Sequence, residues 1–276
     1  MRVNLLEKND LTMRFIVEGI NAPLANTIRR IILSEVPTMA MDDIIIYENS
    51  SVLHDEILAL RLGLIPLKTD LDSYNLPEKC ICKSDLGCSR CRTILTLNVE
   101  ADSGTRTVYS SDLIPEDPRV KPVSDKIPIV KLASGQKIRL EAYAKLGRGK
   151  DHAKWQPVSS CVYRYVPILK IDNSRCDACG KCVEICPRRV LAKEGSSIKI
   201  VKEMECILCN DCVRVCEKKP PPIQVSWDEN KFIFYIESTG ALPVERIIFE
   251  ALKIYEDKYS EFISQIEGLL NELKKS

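Results

Sequence analysis

Several things are missing from these 276 residues, and each absence removes a class of function. No run of eighteen apolar residues occurs, which excludes a membrane-spanning helix. The first ten residues, MRVNLLEKND, alternate in polarity where a secretory signal has a charged start and then an apolar block. Neither sign of charge dominates: 40 Lys+Arg against 39 Asp+Glu leave +1, too little for a free-standing electrostatic DNA binder. Only two histidines are present, His54 and His152, each without a partner nearby in sequence, so a structural role outweighs catalysis for both. There is no nucleophile elbow, no dense Asp motif for catalytic magnesium, and no flavin or nicotinamide fingerprint. Gly147-Arg148-Gly149-Lys150 lacks the strand–loop–helix context of a phosphate loop and reads as a solvated basic loop. With 45% hydrophobic and 29% charged residues, the expectation is a soluble, cytoplasmic globular protein of about two domains.

Periodicity supplies the first positive signals. Residues 2–7 and 11–18 alternate around Lys8-Asn9-Asp10, a hairpin with Leu11, Met13, Phe15 and Val17 on one side. Asn21 caps a helix with Pro23 in its first turn, and Leu24, Ile28, Ile31, Ile32 and Val36 recur at helical spacing up to Pro37. Short β-like runs follow at 41–48, 92–99, 127–132 and 137–143, with a helix at 52–63. After Pro220-Pro221-Pro222 comes a second hairpin, 223–227 and 231–237, turning at Asp228-Glu229-Asn230. Gly240 and Pro243 then introduce a long helix. Its apolar stripe, from Val244 through Tyr259, Phe262, Ile263, Ile266, Leu269, Leu270 and Leu273, steps by threes and fours. Such a helix either lies across the chain's own sheet or has part of its stripe covered by a second chain, and the second reading is preferred. The expected fold class is α+β. A split dimerisation module (1–40 and 223–276) carries an inserted mainly-β domain (41–170) and a nested ferredoxin-like domain (171–222).

Cysteine is abundant, 13 residues, twelve of them clustered at 80–91 and 176–216. Without an export signal this clustering points to metal rather than to a disulfide framework. Cys176-x2-Cys179-x2-Cys182-x3-Cys186-Pro187 is repeated as Cys206-x2-Cys209-x2-Cys212-x3-Cys216, with Glu217 where the proline stood. Two-residue gaps let one turn offer three thiolates to a cubane cluster, and the fourth cysteine reaches the other cluster. The expected sets are Cys176, Cys179, Cys182 with Cys216, and Cys206, Cys209, Cys212 with Cys186. The segment resembles a bacterial-type ferredoxin with two [4Fe–4S] clusters; zinc or disulfide pairing is the alternative. Cys80-x-Cys82-x5-Cys88-x2-Cys91, with Gly87 in the turn, suits a closed four-thiolate zinc site, although its first gap is tighter than usual. Reduced thiols or disulfides are the alternatives there. Cys161, alone in a strand-like run, reads as a core residue.

Three local sequences stand beside the cysteines: Asn26-Thr27-Ile28-Arg29-Arg30 running into Ile31-Ile32-Leu33-Ser34-Glu35-Val36-Pro37, DEILALRLGLIPL at 55–67, and KDHAKWQ at 150–156. With the split α+β layout, they closely resemble the D-subunit family of archaeal DNA-directed RNA polymerase over essentially the whole chain. That family is the counterpart of the bacterial alpha subunit's N-terminal domain and of the third-largest subunit of eukaryotic polymerase II. The resemblance implies a subunit without catalytic residues of its own in a nucleotidyltransferase complex. Its helix 243–273 would pair with subunit L, and the dimer, with subunits N and P, would be the platform for the largest and second-largest catalytic subunits. Arg29 and Arg30 would face the second-largest subunit, and DNA would be met only through the assembled complex. The iron–sulfur domain would act structurally or as a regulator, and the family's zinc site matches 80–91. An electron-transfer subunit of an oxidoreductase is the competing function. Such a carrier would not need the split module or its long apolar stripe.

Overall fold

The computed structural model describes residues 1–84 and 87–273. The expected N-terminal hairpin forms between β1 (Arg2–Lys8) and β2 (Thr12–Glu18). Asn9 closes it, its Oδ1 accepting from the amides of Leu11 (3.0 Å) and Thr12 (2.7 Å). Burial does not alternate along β2: Phe15, Ile16 and Val17 are buried in succession, so both sides of the strand are covered and the one-sided pattern read from sequence is too simple. Asn21 caps α1 (Ala22–Ser34) by accepting from the Leu24 amide at 3.1 Å. Pro37, which has no N–H to continue a helix, opens β3 (Pro37–Asn49).

The chain then runs through α2 (Asp55–Gly63), β4 (Arg92–Glu100), β5 (Arg106–Tyr109), β6 (Ile114–Pro115), β7 (Pro128–Leu132) and β8 (Lys137–Arg148). β3, β8, β4 and β6 are hydrogen-bonded in that order, and β5 pairs with β7. β8 is antiparallel to both neighbours, with Pro37 opposite Arg148, Asn49 opposite Ile138, and Arg92 opposite Lys145. Its period-two pattern buries Ile138, Leu140, Ala142, Ala144 and Leu146 against Leu95, Leu97 and Val99 of β4 and against Leu58 and Leu62 of α2.

Past β8 the chain turns tightly, and the expectation of a solvated basic loop fails here. Gly147 and Arg148 are paired into the end of β3, and a Cβ at Gly147 would lie 2.3 Å from the Trp155 ring. At Gly149 it would lie 2.1 Å from the Leu33 carbonyl oxygen. Trp155 is buried, donates from Nε1 to the Lys145 carbonyl (3.2 Å), and lends its own carbonyl to Thr38 Oγ1 (2.8 Å). His152 has the structural role expected of it: Nδ1 accepts from the Lys154 amide at 3.0 Å, starting the short turn that carries Trp155.

The remaining elements are β9 (Val158–Ile171), α3 (Lys181–Glu184), β10 (Leu191–Glu194), β11 (Ser197–Ile200), α4 (Asp211–Arg214), β12 (Ile223–Ser238) and α5 (Val244–Leu273). One sheet has the order β1-β2-β12-β9, and β10 pairs with β11. The expected hairpin at 223–237 does not form. Asp228 does accept from the Asn230 amide (2.9 Å), but Asn230 offers its carbonyl to Gly19 (2.8 Å) and β12 runs through without reversing. Neighbouring backbone outbids local turn chemistry.

Two compact units emerge. One comprises Met1–Leu6, Arg14–Asn26 and Tyr163–Phe234; the other comprises Glu7–Met13, Thr27–Val162 and the residues from Tyr235 onward. No helix among the described residues is long and apolar enough to cross a membrane. The close approach at Gly147 yields a prediction: Gly147→Ala forces a methyl into the Trp155 ring and costs about 1–3 kcal/mol. Urea unfolding of the full chain measures it, and an unchanged midpoint would refute the packing described.

Candidate metal centres and partner face

The two CxxCxxCxxxC motifs share a backbone signature. Ala178 and Gly180 in the first, and Leu208 and Asn210 in the second, have φ of 52°, 91°, 59° and 62°. Non-glycine residues in left-handed conformation cost about 1–3 kcal/mol each and persist where their surroundings impose them. Here they curl each chain segment so that its three leading cysteines line one cavity, the third of them, Cys182 or Cys212, already on the single helical turn, α3 or α4, that carries the chain away. The fourth thiol comes from the other motif. Cys176, Cys179, Cys182 and Cys216 line one cavity, and Cys186, Cys206, Cys209 and Cys212 line the other.

The walls are largely apolar: Ile171, Ile198 and Ile223 around the first, Leu169, Val190, Leu191 and Val225 around the second. Backbone amides point at sulfur, from Val190 to Cys186 Sγ at 3.4 Å and from Leu208 to Cys206 Sγ at 3.5 Å. Burial, followed by the neighbouring thiols Cys206 and Cys209, raises the Cys212 thiol to about 11. Four soft sulfur donors in an apolar shell with amide–sulfur hydrogen bonds fit an iron–sulfur cluster.

Cys80, Cys82, Cys88 and Cys91 converge more tightly, with all four sulfurs within 4.8 Å of one another. Cys80–Cys88 is 3.7 Å, and Cys82–Cys91 and Cys88–Cys91 are 3.9 Å. Zn–S bonds of about 2.3 Å in a tetrahedron set the sulfurs about 3.8 Å apart, so the donor set fits a single ion and is too compact for a cubane. The Cys88 amide donates to Cys91 Sγ at 3.1 Å. The Cys82 backbone and thiol lower Cys80 to about 7, and burial raises Cys91 to about 12. Cys161 belongs to neither group; it is buried in β9, and burial pushes its thiol up to about 12.

The stripe on α5 is covered by this chain only at its start. Val244, Ile247 and Ala251 are buried, whereas every described residue from Glu256 to Leu273 is exposed. Tyr259 is 55% exposed, Phe262 61% and Leu273 72%, with Ile266, Leu269 and Leu270 alongside. Residues Thr27, Arg30, Ile31, Ser34 and Glu35 of α1 and its C-terminal end line a groove of about 420 Å³ with Tyr255, Lys258, Tyr259 and Phe262. Arg30 is exposed and Arg29 half-buried on the same helix.

Residues 43–173 match the RNA polymerase Rpb3/RpoA insert domain, and residues 169–192 match the 4Fe-4S binding domain. DNA-directed RNA polymerase subunit Rpo3 of Methanosphaera stadtmanae is 43% identical over 274 residues, 99% of each chain. The subunit of the same name from Archaeoglobus fulgidus is 42% identical, covering 97% of this chain and 98% of its own. That from Pyrococcus furiosus is 40% identical over 98% of each. This chain belongs to the Rpo3 family.

Sequence spacing missed the side chains that hold the second cysteine motif. Arg164 donates to the carbonyls of Cys206 and Met204, Arg14 pairs with Glu205 at 2.9 Å, and Glu203 accepts from the Leu169 amide at 2.8 Å. Glu35 was visible only as part of a motif. It is a hub, ion-paired to Lys258 (2.9 Å) on α5 and to Lys150 (3.2 Å). Burial alone would raise its pKa, but hydrogen bonds from Lys258 and Lys150 outweigh that and hold it below the ordinary carboxylate value. A depressed folded-state pKa stabilises the fold above the unfolded value and ceases to do so as pH falls through the folded one. Glu35→Gln is therefore less stable than the parent chain at neutral pH, and the gap closes in acid. A gap that stays constant in denaturant titrations down to pH 3 would sink the assignment.

Proposed function

We propose that the chain is a non-catalytic assembly-platform subunit of DNA-directed RNA polymerase, working in the cytoplasm and meeting DNA only within the complete enzyme. Identity of 43% to an Rpo3 subunit over nearly the full length carries this reading, and the uncovered stripe of α5 gives it a physical basis. Residues 1–40 and 223–276 act as the dimerisation module. Tyr259, Phe262, Ile266, Leu269, Leu270 and Leu273 seat against subunit L. Burying about 25 cal/mol per Å² of apolar surface, these side chains drive that pairing. The dimer, with subunits N and P, receives the two large subunits, Arg29 and Arg30 meeting the second-largest one through bidentate hydrogen bonding.

The inserted 41–170 domain carries zinc at Cys80, Cys82, Cys88 and Cys91. The 171–222 domain carries two [4Fe–4S] clusters, one on Cys176, Cys179, Cys182 and Cys216, the other on Cys186, Cys206, Cys209 and Cys212. When bound, these groups supply folding free energy to loops with little core of their own, a structural role through which iron supply can regulate assembly.

Two experiments test this reading. Ile266→Asp plus Leu270→Asp, both on exposed positions, abolishes co-purification with subunit L while leaving the chain folded; an intact complex would refute the assignment of that face. Anaerobically purified chain contains about eight irons and about one zinc. Four irons or fewer, or no zinc, would contradict the corresponding site.

A further inference from the structure

The two four-cysteine cavities of the 171–222 segment are built alike but held differently. Around the second, Cys206 and Cys212 are buried. The turn leading to Cys206 is bound on three sides: Arg164 of β9 donates to the carbonyls of Met204 and Cys206, Arg14 of β2 pairs with Glu205, and Glu203 accepts from the backbone of β9. Guanidinium hydrogen bonds to carbonyls are charge-assisted, and they place a fixed positive charge beside a ligand that is anionic whenever it binds metal.

Around the first cavity no cysteine is buried, and Cys179 is exposed. Its turns are joined by the pairs Lys181–Glu217 and Lys218–Asp177, all four side chains well exposed, and by Arg175 donating to the Pro220 carbonyl at 2.8 Å. Exposed ion pairs in water hold such turns weakly. Both cavities are walled by strand ends, but charged side chains of the sheet grip the turn of the second, whereas exposed ion pairs among its own turns hold the first.

We propose that the two sites are unequal by construction: Cys186, Cys206, Cys209 and Cys212 form a permanent iron site keyed to the sheet by Arg164 and Arg14, and Cys176, Cys179, Cys182 and Cys216 form an exchangeable one. This rests on the reading that the eight thiols hold two clusters. Arg164 and Arg14 are positioning residues, acting through the Cys206 turn without touching metal. The exchangeable site is then the part of the chain that responds first to iron limitation.

Iron release from the full chain, purified anaerobically and mixed with a ferrous chelator, tests the inequality. Two phases of about four irons each are expected, separated by about ten- to a hundredfold in rate, the range over which supporting hydrogen bonds alter metal affinity. Cys176→Ala plus Cys179→Ala removes the fast phase. Arg164→Gln accelerates the slow phase about tenfold and leaves the fast one unchanged, which makes the fast phase an internal control for the fold. Glu205→Gln, a milder surface change, moves the same phase in the same direction and serves if Arg164→Gln does not fold. Eight irons leaving in a single phase, or acceleration of both phases together, would overturn the proposal. Fewer than about eight irons at the outset would instead overturn the two-cluster reading beneath it.

Discussion

Thirty residues in one helix extend about 45 Å, and the chain's own core reaches only the first eight of them. Much of the rest of the molecule's design follows from that mismatch. A helix whose aromatic and branched side chains stand in water has little reason to remain continuous unless something else covers it, since helical stability in proteins comes chiefly from packing of the amphipathic face. The start of α5 is accordingly fixed with care. Val244 and Ile247 are fully buried, Arg246 pairs with Asp72, and Lys8 pairs with Glu245. Further along, Lys258 reaches Glu35, the last ion pair along the helix among the described residues. The base is held by its own chain and the outer half is presented.

The cysteine-rich segment answers a different shortage. Its apolar core is small, with Leu169, Ala178, Val190, Leu191, Ile198 and Ile223 buried alongside only Cys206 and Cys212. Two-residue loops held in left-handed conformation by non-glycine residues are costly in so small a core. Thiols that converge on two cavities could offer the compensation, because a metal group bound there would tie residues far apart in sequence. A carrier of electrons would need the same loops. It would not need them mounted on a chain that matches polymerase subunits from end to end with an amphipathic helix left open.

Much of this was legible in the sequence where one residue type has one job. Asn21 before a helical stripe, Asn9 in a tight turn, alternation along β8 and the spacing of twelve cysteines each report a local physical requirement, and each appears in the fold. The failures share a cause as well. Asp228-Glu229-Asn230 has turn chemistry, yet its backbone belongs to a long strand because neighbouring strands take its hydrogen bonds. Gly147 and Gly149 resemble loop glycines, yet they are small because Trp155 and the Leu33 carbonyl press on them. Arg14 and Arg164 lie 191 and 42 residues from their partners, Glu205 and Cys206, a separation at which no periodicity carries information. Local chemistry is readable from a single sequence; long-range competition for the same backbone or the same space is not.

The cavity walls join the cysteine segment to the rest of its unit. Leu169 and Ile171 are the closing residues of β9, Ile223 and Val225 the opening residues of β12, and all four line the cysteine cavities. The Asp172 amide donates to the Pro222 carbonyl at 2.9 Å, so the two ends of the segment meet where β9 ends and β12 begins. A group held by the eight thiols would therefore rest on the ends of two adjacent strands rather than on a detachable appendage. Removing it would expose apolar strand ends and unpin the turns at once, and β12 leads within six residues to α5. The eight thiols and the strand ends that wall their cavities therefore form one packed whole within that unit.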